Sequence, residues 1–302
     1  PGPNADARAI ASLLSRDLNH WGVQLQRANR LAEAGEAFAR AEALNPDNVA
    51  AQVNREFNRN LADGSKATVT LTPNIEDRFG AYRTWDQVVG ENGPFDEPTF
   101  CYEQGRVFAQ ASLYRQALQE FERVRALAPD DIPSRLWLAN VYYTCGLHRE
   151  VLGVLDEIKS APDRFALTHT NRTDILSIEA AARFAKGEGD LAKLLLQTAI
   201  AREPTNYYLL AISAQVYMRN GLLTNALKLF DQQLRLQPGD TDAMMNKGYV
   251  CGQGGVYREA ILTLDRLLQI QTSNYPALIN RAIANLQAGE LDAAQRDYET
   301  LA

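Results

Sequence analysis

The sequence has no run of about 18 apolar residues and no basic segment leading into an apolar one near its start. Neither a membrane-spanning helix nor a secretory leader is therefore expected in it. Basic side chains are also in deficit, with 31 Lys and Arg against 37 Asp and Glu. A net charge of −6 argues against nucleic acid as a general ligand, because such binding relies on basic surface to release counterions from phosphates. Histidine and cysteine are scarce, at three each, and His20, His148 and His169 have no Cys or carboxylate pattern beside them that would hold a metal. Cys101, Cys145 and Cys251 fall in or near helices, where each reads as a small buried apolar side chain. No GxSxG, HExxH, phosphate-loop or GxGxxG string occurs. Asp240-Thr241-Asp242 has the form of a transferase DxD, but its place on a turn makes Asp240 a helix cap instead. The reading is of a soluble, non-catalytic chain without metal or cofactor, and its compartment stays open.

What is present is a repeated pattern. In Asn206 to Asp240, Leu210, Ala214 and Tyr217 lie on one helical face, Asn220-Gly221 breaks the helix, and Leu223, Ala226, Leu227, Phe230 and Leu234 form a second apolar face closed by Pro238-Gly239. Such a pair cannot bury its own faces and must stack on others. Its small second-helix residue recurs as Ala34, Ala117, Val151, Ala192, Ala226, Ala260 and Ala294, and four of the six steps are 34 residues. The turn position recurs with the same steps as Asn29, Ser112, Gly146, Gly187, Gly221, Gly255 and Gly289. A small first-helix position, suited to close helix approach, runs through Gly22, Gly105, Ala139, Ala180, Ala214, Gly248 and Ala282, and the closing Pro through Pro46, Pro129, Pro162, Pro204 and Pro238.

A 34-residue helix–turn–helix period with these residues resembles the tetratricopeptide repeat family over nearly the whole chain. The resemblance implies an all-α, right-handed α-solenoid and a protein or peptide ligand held in a concave groove lined by first helices. The groove positions it implies are Val53, Phe57, Tyr102, Arg106, Leu136, Asn140 and Tyr143, then Ser177, Phe184, Tyr208, Gln215, Arg219, Met245, Tyr249 and Gln253. Aromatics offer stiff apolar area there, and amides can bond to a peptide backbone. The carboxylate clamp of chaperone-binding members is disfavoured: Asn246 matches its middle slot, but Ala211 with Gln215 and Pro276 with Asn280 stand where its cations belong.

Repeats are expected at 15–48, 49–97, 98–131, 132–165, 173–206, 207–240, 241–274 and, incomplete, 275–302. Trp21, Leu25, Leu31, Phe38, Ala41 and Leu44 are the expected core of the first. The second carries about 15 extra residues, since chain length in a loop is entropically cheap. A short strand is expected over 67–71, then a helix restarting at Thr72-Pro73-Asn74 with Ile75, Phe79, Tyr82, Val88 and Val89 inward and Trp85 near its edge. The loop 93–98 follows, and the favoured reading is a tolerated surface insertion over a partner-contacting element. A smaller insertion falls at 166–172. With no polar capping helix before Ala302, two continuations are expected: a longer natural chain, or pairing of the open end with a second copy as a homodimer. In the longer-chain case this would be the substrate-recruiting region of a larger bacterial enzyme, such as a glycosyltransferase, or of an envelope assembly machine.

Overall fold

The computed structural model describes residues 4–65, 68–70, 77, 79, 80, 82–161 and 164–301. Among them are sixteen α-helices and no strand. The residues form two compact units, one running to Gly146 and including Ile158–Phe165, the other made of Leu147–Glu157 and the chain from Ala166.

The first unit begins with α1 (Ala5–Arg27), whose first turn is capped by the Asn4 side chain accepting from Ala7 N at 2.7 Å. It pairs with α2 (Leu31–Leu44). Then come α3 (Val49–Ala62), α4 (Trp85–Asn92), the pair α5 (Pro98–Gln110) and α6 (Tyr114–Leu127), and α7 (Ile132–Thr144). The boundary between the units passes through α8 (His148–Ser160). In the second unit, α9 (His169–Ala185) pairs with α10 (Gly189–Arg202), α11 (Tyr207–Arg219) with α12 (Leu223–Leu236), α13 (Thr241–Gln253) with α14 (Tyr257–Ile270), and α15 (Tyr275–Ala288) with α16 (Leu291–Leu301). Each unit is an α-solenoid, a stack of such helices.

The turn series has a direct physical cause. Gly146, Gly187, Gly221, Gly255 and Gly289 all have φ between 72° and 84°, and Asn29 and Ser112 in the same slot sit at 60°. This left-handed conformation ends the first helix of each pair, and glycine adopts it without steric cost. The small first-helix slot is equally real: a Cβ on Gly22 would come within 2.5 Å of Phe38 Cε1, one on Gly105 within 2.8 Å of Phe121 Cε1, and one on Gly248 within 2.6 Å of Leu264 Cγ. Ion pairs repeat with the period as well. Lys247 Nζ lies 2.7 Å from both Asp231 and Glu259, while Arg281, 34 residues on, pairs with Asp265 at 2.6 Å and with Asp297. Each joins a first helix to the second helices on either side of it.

The second repeat departs from expectation. Residues 68–70 carry no regular secondary structure, while Ala67, Leu71, the expected restart at Thr72-Pro73-Asn74 and Ile75 lie outside the described residues, as do Pro1 to Pro3 and Pro162. The helix expected to run through Val88 and Val89 is instead begun afresh at Trp85, where Thr84 Oγ1 accepts from Gln87 N at 3.2 Å. Nor is 93–98 a surface loop, for Phe95, Asp96 and Glu97 are fully buried. Phe95 stacks on Phe100 with centroids 4.3 Å apart, and Trp85 and Phe79 extend the pile at 5.5 and 5.6 Å. Around it, Asn19 Nδ2 donates to Asn92 O and Pro94 O, Asn54 Nδ2 to Pro94 O, and Asn92 Oδ1 accepts from Val49 N at 3.0 Å. The buried Asp96 carboxylate receives Arg27 at 2.9 Å, Arg123 at 2.8 and 2.6 Å, and Gln26 at 2.8 Å.

Two further expectations change. Trp21 is 57% and Leu44 40% exposed, so neither belongs to the first core, where Val23, Leu25, Ala34, Ala37 and Phe38 cluster and Ala41 is buried as expected. Cys101 and Cys251 are buried but Cys145 is exposed, because it caps the end of α7 rather than facing a neighbouring helix.

Candidate functional site

The second unit carries two rows of exposed side chains on its first helices. Gln215, Tyr249 and Ile283 repeat at 34-residue intervals on α11, α13 and α15, and Arg219, Gln253 and Gln287 repeat four residues further along the same helices. Residues four apart share a helical face, so the rows are adjacent. Tyr208, 43% exposed, stands at the start of α11, and its hydroxyl donates to Asp174 Oδ1 on α9 at 2.5 Å. Partial burial, that hydrogen bond and the Asp174 charge raise the Tyr208 phenol to about 12. Met245 is half-buried, and its sulfur accepts from Asn280 Nδ2 of α15 at 3.5 Å.

Between α13, the first turn of α14, and α15 lies an open cleft of 360 Å³. Tyr249, Gln253, Tyr257, Asn280, Ile283 and Gln287 supply its side-chain walls, with Gly248, Gly252 and Ala284 at the helix backbones. Two tyrosines, three amides and an isoleucine contribute no carboxylate, guanidinium or ammonium group. The cleft can therefore offer apolar contact and neutral hydrogen bonds, but no ion pair.

Not every expected groove residue reaches solvent. Phe57 and Val53 are fully buried: α3 packs against α1, α2 and α4, and Val53 shares a core with Val88 and Phe95 of the inserted segment. Leu136 is buried too, on a helix that packs on adjacent sides: Arg135 beside it lies under 2% exposed, its guanidinium 5.0 Å from the Phe165 ring. Phe184 is half-buried against the core around Leu210, with its ring edge-on to Tyr217 at 6.5 Å. Tyr102 and Arg106 are half-buried and engage each other, the guanidinium 5.9 Å from the ring and also 3.1 Å from Glu103. Asn140 is exposed, and Tyr143 and Ser177 are half-buried. Tyr208, Gln215, Arg219, Met245, Tyr249 and Gln253 are thus brought together on the second unit, whereas Phe57 and Leu136 cannot meet a ligand.

A family model described as tetratricopeptide repeat matches residues 179–241 and 213–276, the stretch that holds α11 to α14 and their 34-residue spacing. Residues 179–276 are tetratricopeptide repeats. The sequence is similar to cellulose synthase operon protein C of Pseudomonas fluorescens, with 27% identity over 161 residues that make up 53% of this chain and 12% of that protein. It is also similar to the BBSome complex member BBS4 of Bos taurus, with 20% identity over 202 residues, 67% of this chain and 37% of the relative. The chain thus corresponds to a minor part of the length of either relative. A solved tetratricopeptide repeat protein from Parabacteroides merdae superposes with a TM-score of 0.49 and 17% identity over 68% of this chain and 78% of that one.

In tetratricopeptide terms the site lies on the first helices of consecutive repeats. Asp174, Asn280, Ile283 and Gln287 belong to it and were missed by sequence reasoning. Stepping 34 residues on from Tyr249 and Gln253 would have found Ile283 and Gln287. The Tyr208–Asp174 pair had the same signal, since its two residues are also 34 apart. Asp240, by contrast, serves where capping chemistry put it, accepting from Asp242 N and Ala243 N at 3.0 and 3.1 Å. Among the described residues no group of three or more His, Cys, Asp or Glu is placed to hold a metal, and no helix is long and apolar enough to cross a membrane.

Proposed function

We propose that the protein is a non-catalytic interaction module whose second unit binds an extended peptide segment across α11, α13 and α15. The observation that carries this reading is the pair of exposed rows, Gln215–Tyr249–Ile283 and Arg219–Gln253–Gln287, at equivalent positions of three consecutive first helices. An extended chain presents backbone groups at regular intervals, and amides on a regular scaffold can meet them while tyrosine and isoleucine take side chains. A fixed scaffold also spares the entropy of ordering the site on binding. The test is affinity capture with the wild type and with the double variant Tyr249→Asp/Ile283→Asp, the fold being checked by far-UV circular dichroism. A partner retained by the first and lost by the folded variant supports the reading, and equal capture by both removes it.

A second reading is favoured by one comparison. The match to cellulose synthase operon protein C occupies 12% of that protein, so the matched stretch there is a fraction of a much longer chain. On this reading the present repeats recruit substrate or partners for a larger bacterial enzyme or envelope assembly. Self-association is a separate proposal, resting on the exposed Ile279, Leu286 and Leu291 of α15 and α16. Sedimentation over a hundredfold range of concentration would reveal a dimer, and an invariant monomer mass would exclude it.

A further inference from the structure

The cleft between α13 and α15 lies where this repeat has a glycine and the two repeats before it have a large apolar side chain. Position 252 is glycine, while the same slot at 34-residue intervals holds Phe184, Met218 and Leu286. Phe184 and Met218 lie half-buried against the core around Leu210 and Tyr217, so in the two preceding repeats this slot is filled by a large apolar group, whereas Leu286 is 46% exposed. At Gly252 an added Cβ would meet nothing within 4 Å. Backbone geometry does not require glycine there either: Gly252 lies within α13 and is not among the glycines of positive φ, and glycine inside a helix is unfavourable relative to alanine.

We infer that Gly252 opens a specificity subsite for one large, uncharged apolar side chain of the bound peptide, a phenylalanine, leucine or methionine. This rests on the peptide-binding reading and names the residue class that the groove selects. The cleft volume of 360 Å³ falls within the roughly 300–1,000 Å³ of small-ligand pockets and accommodates one such side chain together with its backbone. Its walls decide the charge. Tyr249, Tyr257 and Ile283 give apolar contact, and Gln253, Asn280 and Gln287 give neutral donors and acceptors at the rim, where they can meet the peptide groups flanking the anchor. With no ionic partner in the lining, a charged anchor would lose its hydration without compensation. The incoming side chain replaces, in trans, the Phe or Met that the two preceding repeats supply in cis.

The experiment selects phage-displayed random twelve-residue peptides on the wild-type protein, then measures the enriched peptides by fluorescence polarisation on wild type, Gly252→Ala, Gly252→Leu and Tyr208→Ala/Arg219→Ala. The expected peptides share one Phe, Leu or Met, and changing it to Asp or Lys weakens binding at least about tenfold, the scale of one buried apolar side chain. Gly252→Leu, which fills the cleft from within, weakens binding by at least about tenfold, the same burial being lost, without lowering the melting temperature, whereas Gly252→Ala binds within about threefold of wild type. Enriched peptides that bind Gly252→Leu as well as wild type but lose affinity for Tyr208→Ala/Arg219→Ala would overturn the subsite and leave peptide recognition standing. A shared charged anchor would also overturn it. Failure to enrich any peptide would overturn both readings, and cellobiose competing with the enriched peptides at the cleft would reassign it to a saccharide.

Discussion

Replacing Asp96 by alanine tests whether the inserted segment is part of the fold of the first unit. The carboxylate is fully buried and accepts four hydrogen bonds, one from Arg27, two from Arg123 and one from Gln26, at 2.6 to 2.9 Å. Asp96→Ala leaves two guanidiniums facing a buried space. Removing one partner of a buried ion pair costs about 3–5 kcal/mol. The Arg27 and Arg123 side chains are 30% and 17% exposed, and Arg27 keeps Glu120 at 3.4 Å, so the lower end, about 3 kcal/mol, applies here. At a urea dependence of about 2 kcal/mol per M, the unfolding midpoint falls by about 1.5 M. Tryptophan fluorescence isolates the effect, because Trp21, Trp85 and Trp137 all lie in the first unit. A midpoint shift below about 0.3 M, worth little more than half a kcal/mol at that slope, would mean that Asp96 is effectively solvated and that 92–97 is not built into the core.

Three other outcomes are expected. Ser112→Gly relieves a left-handed residue at φ 60° and raises the stability of the first unit by about 0.5–1 kcal/mol in the same urea assay, with a smaller gain for Asn29→Gly because asparagine tolerates that conformation. Gly105→Ala forces a Cβ to within 2.8 Å of Phe121 Cε1 and costs about 1–3 kcal/mol by overpacking; an unchanged melting midpoint would contradict the close α5–α6 approach. Asp174→Asn removes the charge facing the Tyr208 hydroxyl, so the phenol falls from about 12 toward its ordinary 10, as read by carbon-13 NMR of the labelled tyrosine ring. The raised value means the fold favours the protonated phenol. This contribution is complete below pH 10 and fades as pH rises from 10 to about 12, and Asp174→Asn flattens that decline.

Much of the architecture was legible because its causes are local. The left-handed turn needs glycine or a tolerant substitute, so Gly146, Gly187, Gly221, Gly255, Gly289, Asn29 and Ser112 announce seven such turns in the sequence. The small slots Gly22, Gly105 and Gly248 could be read for the same reason, since a ring or a leucine presses on each. The inserted segment could not, because its burial depends on partners 27 to 75 positions away, such as Asn19, Asn54 and the Asp96 ligands. That same segment removed Val53 from the expected groove, as α3 acquired contacts with Val88 and Phe95 that the repeat pattern does not contain. Trp21 misled in the other direction, since an aromatic at a plausible core spacing turned outward. In the second unit Gln215, Tyr249 and Gln253 were named through the family resemblance, whereas the cleft beside them was not. It lies at Gly252, whose missing side chain becomes informative only against Phe184 and Met218 in the equivalent slots.

Site-specific photocrosslinking reads out directly whether a peptide segment lies across α11, α13 and α15. Tyr249, on the proposed binding face, is replaced by p-benzoylphenylalanine, and in a second protein Leu262, 59% exposed on α14, is replaced in the same way. After irradiation in the source cell, crosslinked polypeptides are identified by mass spectrometry. The account predicts a partner joined through position 249 and not through 262, with the attachment mapping to one short contiguous segment. Identical adducts from both positions, or none from position 249, would contradict it.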